Sequence, residues 1–163
     1  MHVDRLAVWG LILLLGVGSA VASGRTVPLV DAVKNGDDIE AIRNLLQQGG
    51  VNTPETDGTT ALHWAVHRDD LDTAQLLIDA GADVMVANRY GVTPLLLASE
   101  NGNVEIIEGL LQAGANPNSA MGENETALMT VARSGNADAA RMLLAHGADV
   151  HARESWRGQT ALM

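Results

Sequence analysis

A chain of 163 residues with a formal net charge of −10 is long enough for one domain with its own core, and its acidity opposes binding to nucleic acid, whose affinity rests on Lys and Arg displacing counterions. The absence of cysteine removes disulfides, thiolate nucleophiles and cysteine-based zinc or iron–sulfur sites. With no Phe and only 2% aromatic residues, the core must come from close packing of Ala, Leu and Val, which suits thin, stacked helices.

Residues 1–22 read as a signal peptide. An uncharged run extends from Leu6 through Gly24 and is followed by no charged residue until Arg25. Within it, Ala20 and Ala22 form the small-x-small pattern that a signal peptidase accommodates, so cleavage is expected after Ala22, giving an exported chain, periplasmic or secreted. The alternative is an uncleaved anchor over residues 6–24 in the inner membrane, since the run approaches bilayer-spanning length. Gly10, Gly16, Gly18 and Ser19 make it less apolar than that length suggests.

Downstream, the sequence repeats itself. Residues 24–56 form a degenerate first unit, with Pro28-Leu-Val-Asp-Ala-Val33 as an inner helix and Asp38 to Leu46 as an outer one. Thr60-Ala-Leu-His-Trp-Ala-Val66 then returns 33 residues later as Thr93-Pro-Leu-Leu-Leu-Ala-Ser99, and after 33 more as Thr126-Ala-Leu-Met-Thr-Val-Ala132. Gly81-Ala-Asp-Val84, Gly114-Ala-Asn-Pro117 and Gly147-Ala-Asp-Val150 keep the same interval. Between these markers, apolar residues recur at helical spacing.

Each mark has a physical reading. The Thr suits a helix N-cap, and Pro94 takes the first helical position, where its missing donor costs nothing. A polar break such as Glu100-Asn-Gly-Asn103 turns the chain into the outer helix, which stops at Gly81, Gly114 or Gly147, where a left-handed residue is needed. An extended finger with a turn at its tip leads on to the next Thr. One such unit cannot bury its own apolar face, whereas stacked neighbours can. The units span 57–89, 90–122 and 123–156, and 157–163 opens another inner helix.

These residues resemble the ankyrin repeat, with its D-x-x-G-x-T-P-L-H-x-A-A start, its helical middle and its G-A-D-V-N-A end. The resemblance implies an all-α ankyrin-repeat solenoid of helix-turn-helix units joined by β-hairpin-like fingers. No polar terminal repeat follows residue 156, so the chain is expected to be a fragment of a longer one, or to cover that face with a partner.

Signs of chemistry are weak. His63 and His67 lie four apart, a zinc-compatible spacing, but His63 falls on the family's T-P-L-H histidine, which braces the turn. No third ligand follows at suitable spacing. His146 and His151 are expected in solvated loops. The run Asn116 to Glu125 fails as a calcium loop because Ala120 occupies a ligand position and Gly122 comes one residue late. Asn124-Glu-Thr126 has the form of a glycosylation site, but Thr126 is needed as an N-cap. No nucleophile elbow or phosphate-cradling glycine motif occurs. The expectation is therefore a non-catalytic chain without cofactor, metal or small-molecule substrate.

In the ankyrin family, fingertips and the exposed side of the inner helices form a concave surface that grips protein partners. Carried over to this chain, that surface comprises Thr56, Asp57, Thr59, His67 and Arg68, then Arg89, Tyr90, Val92, Glu100 and Asn101. It continues with Glu123, Glu125, Arg133 and Ser134, and ends with Trp156, Arg157 and Gln159. Tyr90 and Trp156 stand out as anchors, because interface energy concentrates in aromatic and Arg side chains. Trp64, on an inner helix, is expected to pack between repeats. The expected function is that of a protein-interaction module with an unidentified partner. Alternatives are a targeting domain within a longer enzyme or multi-repeat protein, and self-association through the uncapped last repeat.

Overall fold

A computed structural model describes residues 27–163; the predicted signal peptide lies outside them. Eight helices follow in pairs: α1 (Pro28–Asn35) with α2 (Ile39–Leu46), α3 (Ala61–His67) with α4 (Leu71–Asp79), α5 (Pro94–Asn101) with α6 (Val104–Gln112), and α7 (Ala127–Ser134) with α8 (Ala137–Ala145). Odd-numbered helices stack on one another as an inner layer, and even-numbered helices stack as an outer layer. This is the predicted solenoid.

Local chemistry sets the boundaries. Each outer helix starts on a side-chain cap: Asp38, Asp70, Asn103 and Asn136 accept hydrogen bonds from the N–H groups of Ala41, Thr73, Ile106 and Ala139 at 2.9–3.0 Å. These bonds satisfy donors that the helix itself cannot pair. Thr93 and Thr126 cap α5 and α7 in the same way, accepting from Leu96 and Met129. The last three outer helices end on Gly81, Gly114 and Gly147, with φ of 84°, 94° and 89°. There the N–H groups of Ala82, Ala115 and Ala148 donate back to the carbonyls of Leu77, Leu110 and Leu143, a left-handed closure that glycine makes without a Cβ penalty. After α3 the corresponding inner turn is made by Asp69 at φ 58°, where Gly36, Gly102 and Gly135 serve the other three units.

The core is a column of small aliphatic residues running through the stack. Leu77, Leu110 and Leu143, one period apart, are fully buried, as are Val66, Leu95 and Val131. The fingers are less regular than predicted. Among the described residues a strand pair forms in the third finger alone, where β1 (Ala120–Met121) runs antiparallel to β2 (Glu125–Thr126). Gly122 and Asn124, at φ 48° and 65°, turn that hairpin. The others are held by turns and by side-chain bonds such as Asn88 Oδ1 accepting from the N–H groups of Tyr90 and Val92.

Candidate partner-binding surface

Four finger turns follow the outer helices, near residues 55–58, 88–91, 121–124 and 154–158; the first three lead into α3, α5 and α7, whereas after the fourth residues 159–163 form a turn and not the inner helix expected over 157–163. The first carries Thr56 and Asp57. Asp57 accepts from the Thr59 N–H at 3.0 Å, and that bond holds its carboxyl below the usual carboxylate range. Thr59, predicted as a contact residue, is instead buried, with its hydroxyl toward Asn88. It shapes the finger and offers no surface. Gly58 sits so close to the next finger that a Cβ would lie 3.2 Å from the Asn88 Cα.

The second finger presents Arg89 and Tyr90, and Tyr90 is 61% exposed. The Arg89 guanidinium lies 4.8 Å from the ring centroid and donates to the phenol oxygen. Val92 is partly buried, and its carbonyl accepts from His63. In the third finger Glu123 is exposed, while Glu125 is partly buried and pairs with Arg133 of α7. The fourth presents Trp156, 68% exposed, with the Arg157 guanidinium 4.0 Å from its ring centroid. Glu154 organises that tip by accepting from the N–H groups of Gln159, Arg157 and Trp156, bonds that hold its carboxyl below the ordinary range, the Gln159 bond most of all. Gln159 is exposed beside them and lines, with Trp156, Met129 and Arg133, a concavity of about 500 Å³.

The inner helices contribute their ends. His67, Arg68, Glu100, Asn101, Arg133 and Ser134 are exposed at the last turns of α3, α5 and α7 or immediately after them. Asn101 also reaches across to the Val66 carbonyl at 2.7 Å, which commits its amide to joining two units. Arg68 reaches the Lys34 carbonyl at 3.3 Å.

A cluster around Trp64 escaped the sequence reading. Trp64 is half-buried on the inner layer, where its indole N–H donates to Glu55 at 2.8 Å. Lys34 pairs with the same carboxylate at 3.3 Å and lies 4.5 Å from the Trp64 ring centroid, while His67 meets the ring edge-on. The signal was Lys34, one period before His67, together with a Glu at the base of the first finger. The degenerate spacing of the first unit concealed that register.

The His63–His67 pair does not converge. His63 is buried, with Nδ1 accepting from the Thr60 N–H at 3.2 Å and Nε2 facing the Val92 carbonyl at 3.1 Å. This arrangement requires the neutral ring protonated on Nε2. Burial holds its pKa below the ordinary histidine value, outweighing the opposing influence of Val92 and Asp57. His67 points to the surface. Among the described residues no group of three His, Cys, Asp or Glu side chains could hold a metal. His146 and His151 are exposed, as predicted.

The fold and the comparisons with known proteins agree. A family pattern described as "Ankyrin repeats (3 copies)" matches residues 29–121, and "Ankyrin repeats (many copies)" matches residues 110–162. The Ankyrin repeat and LEM domain-containing protein 1 homolog of Caenorhabditis elegans is 35% identical over 85 residues, which is 52% of this chain and 12% of that protein. The human 2-5A-dependent ribonuclease is 38% identical over 77 residues, 45% of this chain and 10% of the relative. The Notch-regulated ankyrin repeat-containing protein of Xenopus laevis is 38% identical over 77 residues, 44% of this chain and 67% of that protein. The chain thus spans only about a tenth of the first two relatives. With its repeating helix pairs, its glycine-closed outer helices and family matches from residue 29 to residue 162, the chain belongs to the ankyrin-repeat family.

Proposed function

We propose that this chain is a non-catalytic binding module whose finger row and inner-helix ends capture a protein partner, with Tyr90 and Trp156 as anchors. Ankyrin repeats imply protein partners in general. The observation carrying the finer reading is the paired display of the fingertips: the two most exposed aromatic rings, each stacked with an adjacent Arg. A cation held against an aromatic ring keeps it in place, Arg89 holding the Tyr90 hydroxyl as well, so little side-chain entropy is lost on docking. Such aromatic and Arg pairs are where binding energy concentrates.

The setting we propose is outside the cytoplasm, supported by the apolar run from Leu6 and the Ala20-Val21-Ala22 site. Sequencing the amino terminus of the protein secreted by its native host is expected to read Ser23 first; a terminus at Met1 would exclude cleavage there. Binding is tested by isolating the partner on immobilised protein, purifying it, and measuring its affinity by calorimetry. The double change Tyr90→Ala and Trp156→Ala is expected to weaken it at least tenfold, roughly 1.4 kcal/mol or more. Leu144→Ala, on the outer layer, is expected to leave it unchanged. Equal affinity for the double variant and the unchanged protein would remove both anchors.

A further inference from the structure

The finger row is bonded in two pairs, with a gap between them. Asn52, in the loop before the first finger, clamps the next loop by donating to the Gly81 carbonyl at 3.1 Å and accepting from the Asp83 N–H at 2.7 Å. Two periods on, Asn118 makes the same clamp, donating to Gly147 at 3.1 Å and accepting from Asp149 at 2.7 Å. The residue in this register between them is Met85, 57% exposed, whose thioether can neither donate to the Gly114 carbonyl nor meet the Asn116 N–H as a strong acceptor.

The fingertips show the same alternation. The Arg89 N–H donates to the Asp57 carbonyl at 2.8 Å, tying the second finger to the first. The Ser155 N–H donates to the Glu123 carbonyl at 2.6 Å, tying the fourth to the third. The corresponding bond between the second and third fingers would run from the Gly122 N–H to the Tyr90 carbonyl, and among the described residues no hydrogen bond joins these fingers. Both omissions fall in one gap. The helices beneath it remain joined at their far ends, where Asn103 donates to Asp69 at 2.9 Å and Asn136 donates to the Gly102 carbonyl at 2.8 Å.

We propose that this gap is a built-in hinge: the first and second fingers move as one bonded pair, the third and fourth as another, and the slot between Tyr90 and Glu123 opens and closes while the helical layers hold. This rests on the reading of the fingers as the binding face, because the slot separates the Tyr90 anchor from the Trp156 anchor. Opening changes their separation, so the partner's footprint is matched by one soft joint in an otherwise stiff row. Hinges arise where few bonds must break for elements to separate.

The test needs no partner, so its failure is distinct from failure of the binding reading. The chain has no cysteine, which allows clean pairs of spin labels. With cysteines at 90 and 123, the distance distribution is expected to be at least twice as broad as for pairs at 56 and 90 or at 123 and 156. Met85→Asn, which supplies the missing clamp, is expected to narrow the first distribution alone and to slow amide exchange at Asn116 at least tenfold. It is also expected to raise Tm by about 3 °C. Three distributions of equal width, or a broad 90–123 distribution untouched when Met85→Asn protects Asn116, would overturn the hinge. Should Asn116 stay unprotected in that variant, Met85 is not the cause of the missing clamp and the proposal fails in that form.

Discussion

Replacing His63 with alanine is expected to destabilise the fold by about 3 kcal/mol, read as a lowered urea midpoint at constant m. The ring is 1% exposed and joins two units, holding the Thr60 N–H at the start of α3 and donating to the Val92 carbonyl of the following unit. Alanine leaves a cavity and the Thr60 N–H without its partner, which costs about 1–3 kcal/mol when that group remains buried, whereas the Val92 carbonyl keeps the Asn88 N–H. His63→Leu fills most of the space and is expected to lose about half as much. The chain itself carries Leu96 one period later, at a fully packed site, so the leucine shape is compatible with the repeat.

The same residue sets a pH response. Its folded pKa lies below its unfolded value near 6.5, so the unfolded chain binds the proton more readily. The stability it contributes is therefore fully present above about pH 6.5 and declines as pH falls through the depressed folded value. Protonation would also place an Nδ1–H donor against the Thr60 N–H donor. Urea midpoints between pH 7 and pH 5 are expected to fall in the unchanged protein and to fall less in His63→Leu. The exposed His67, His146 and His151 are present in both proteins and cancel in the comparison. Parallel curves would assign the pH response to other groups. The lowered carboxyls of Asp57 and Glu154 act in a more acidic window, losing their contribution only as pH drops below the ordinary carboxylate range.

Leu110→Ala is expected to cost about 3 kcal/mol, a large fraction of the 5–15 kcal/mol that typically separates folded from unfolded chains. Leu110 is fully buried on α6, which packs between α4 and α8, so surrounding atoms have little freedom to collapse into the space. Leu143, equally buried one period later, lies on α8, whose outer-layer neighbour in the described chain is α6. In a polypeptide of residues 27–163, Leu143→Ala is expected to cost about 1 kcal/mol less, because there α8 is packed on one side alone within its layer. Thermal unfolding of the two variants ranks them directly. Equal losses would show that position in the array does not matter, against the nearest-neighbour view of repeat stability. Leu144→Ala, 45% exposed, is expected to stay within about 0.5 kcal/mol and serves as the reference.

Most of the scaffold was legible because its rules are local. A capping Thr or Asn needs its helix only three residues away, and a left-handed Gly needs only the helix it closes. Repetition at 33 residues supplied each rule several times over, so a single departure such as Asp69 in place of glycine did not obscure the pattern. The surface was less legible, because exposure depends on neighbours in other units. Thr59 reads like Thr56 along the chain, yet only Thr56 is exposed, since Asn88 of the next finger comes to lie against Thr59. Trp64 reads as core, yet Glu55 and Lys34 draw it partly into the inner face.

By itself the amino-acid sequence determined the repeat, the helix boundaries, the glycine stops and the aliphatic core, all of which follow from contacts within one unit or between identical positions of adjacent ones. Only the tertiary structure decided which fingers are bonded to which. Asn52, Met85 and Asn118 are equivalent in register, and the difference among them became meaningful once the geometry showed what an asparagine there holds: the carbonyl and the N–H of a loop 29 and 31 residues further along the chain. A hydrogen bond of that span is invisible to local pattern, because its partners are brought together by stacking and not by sequence proximity.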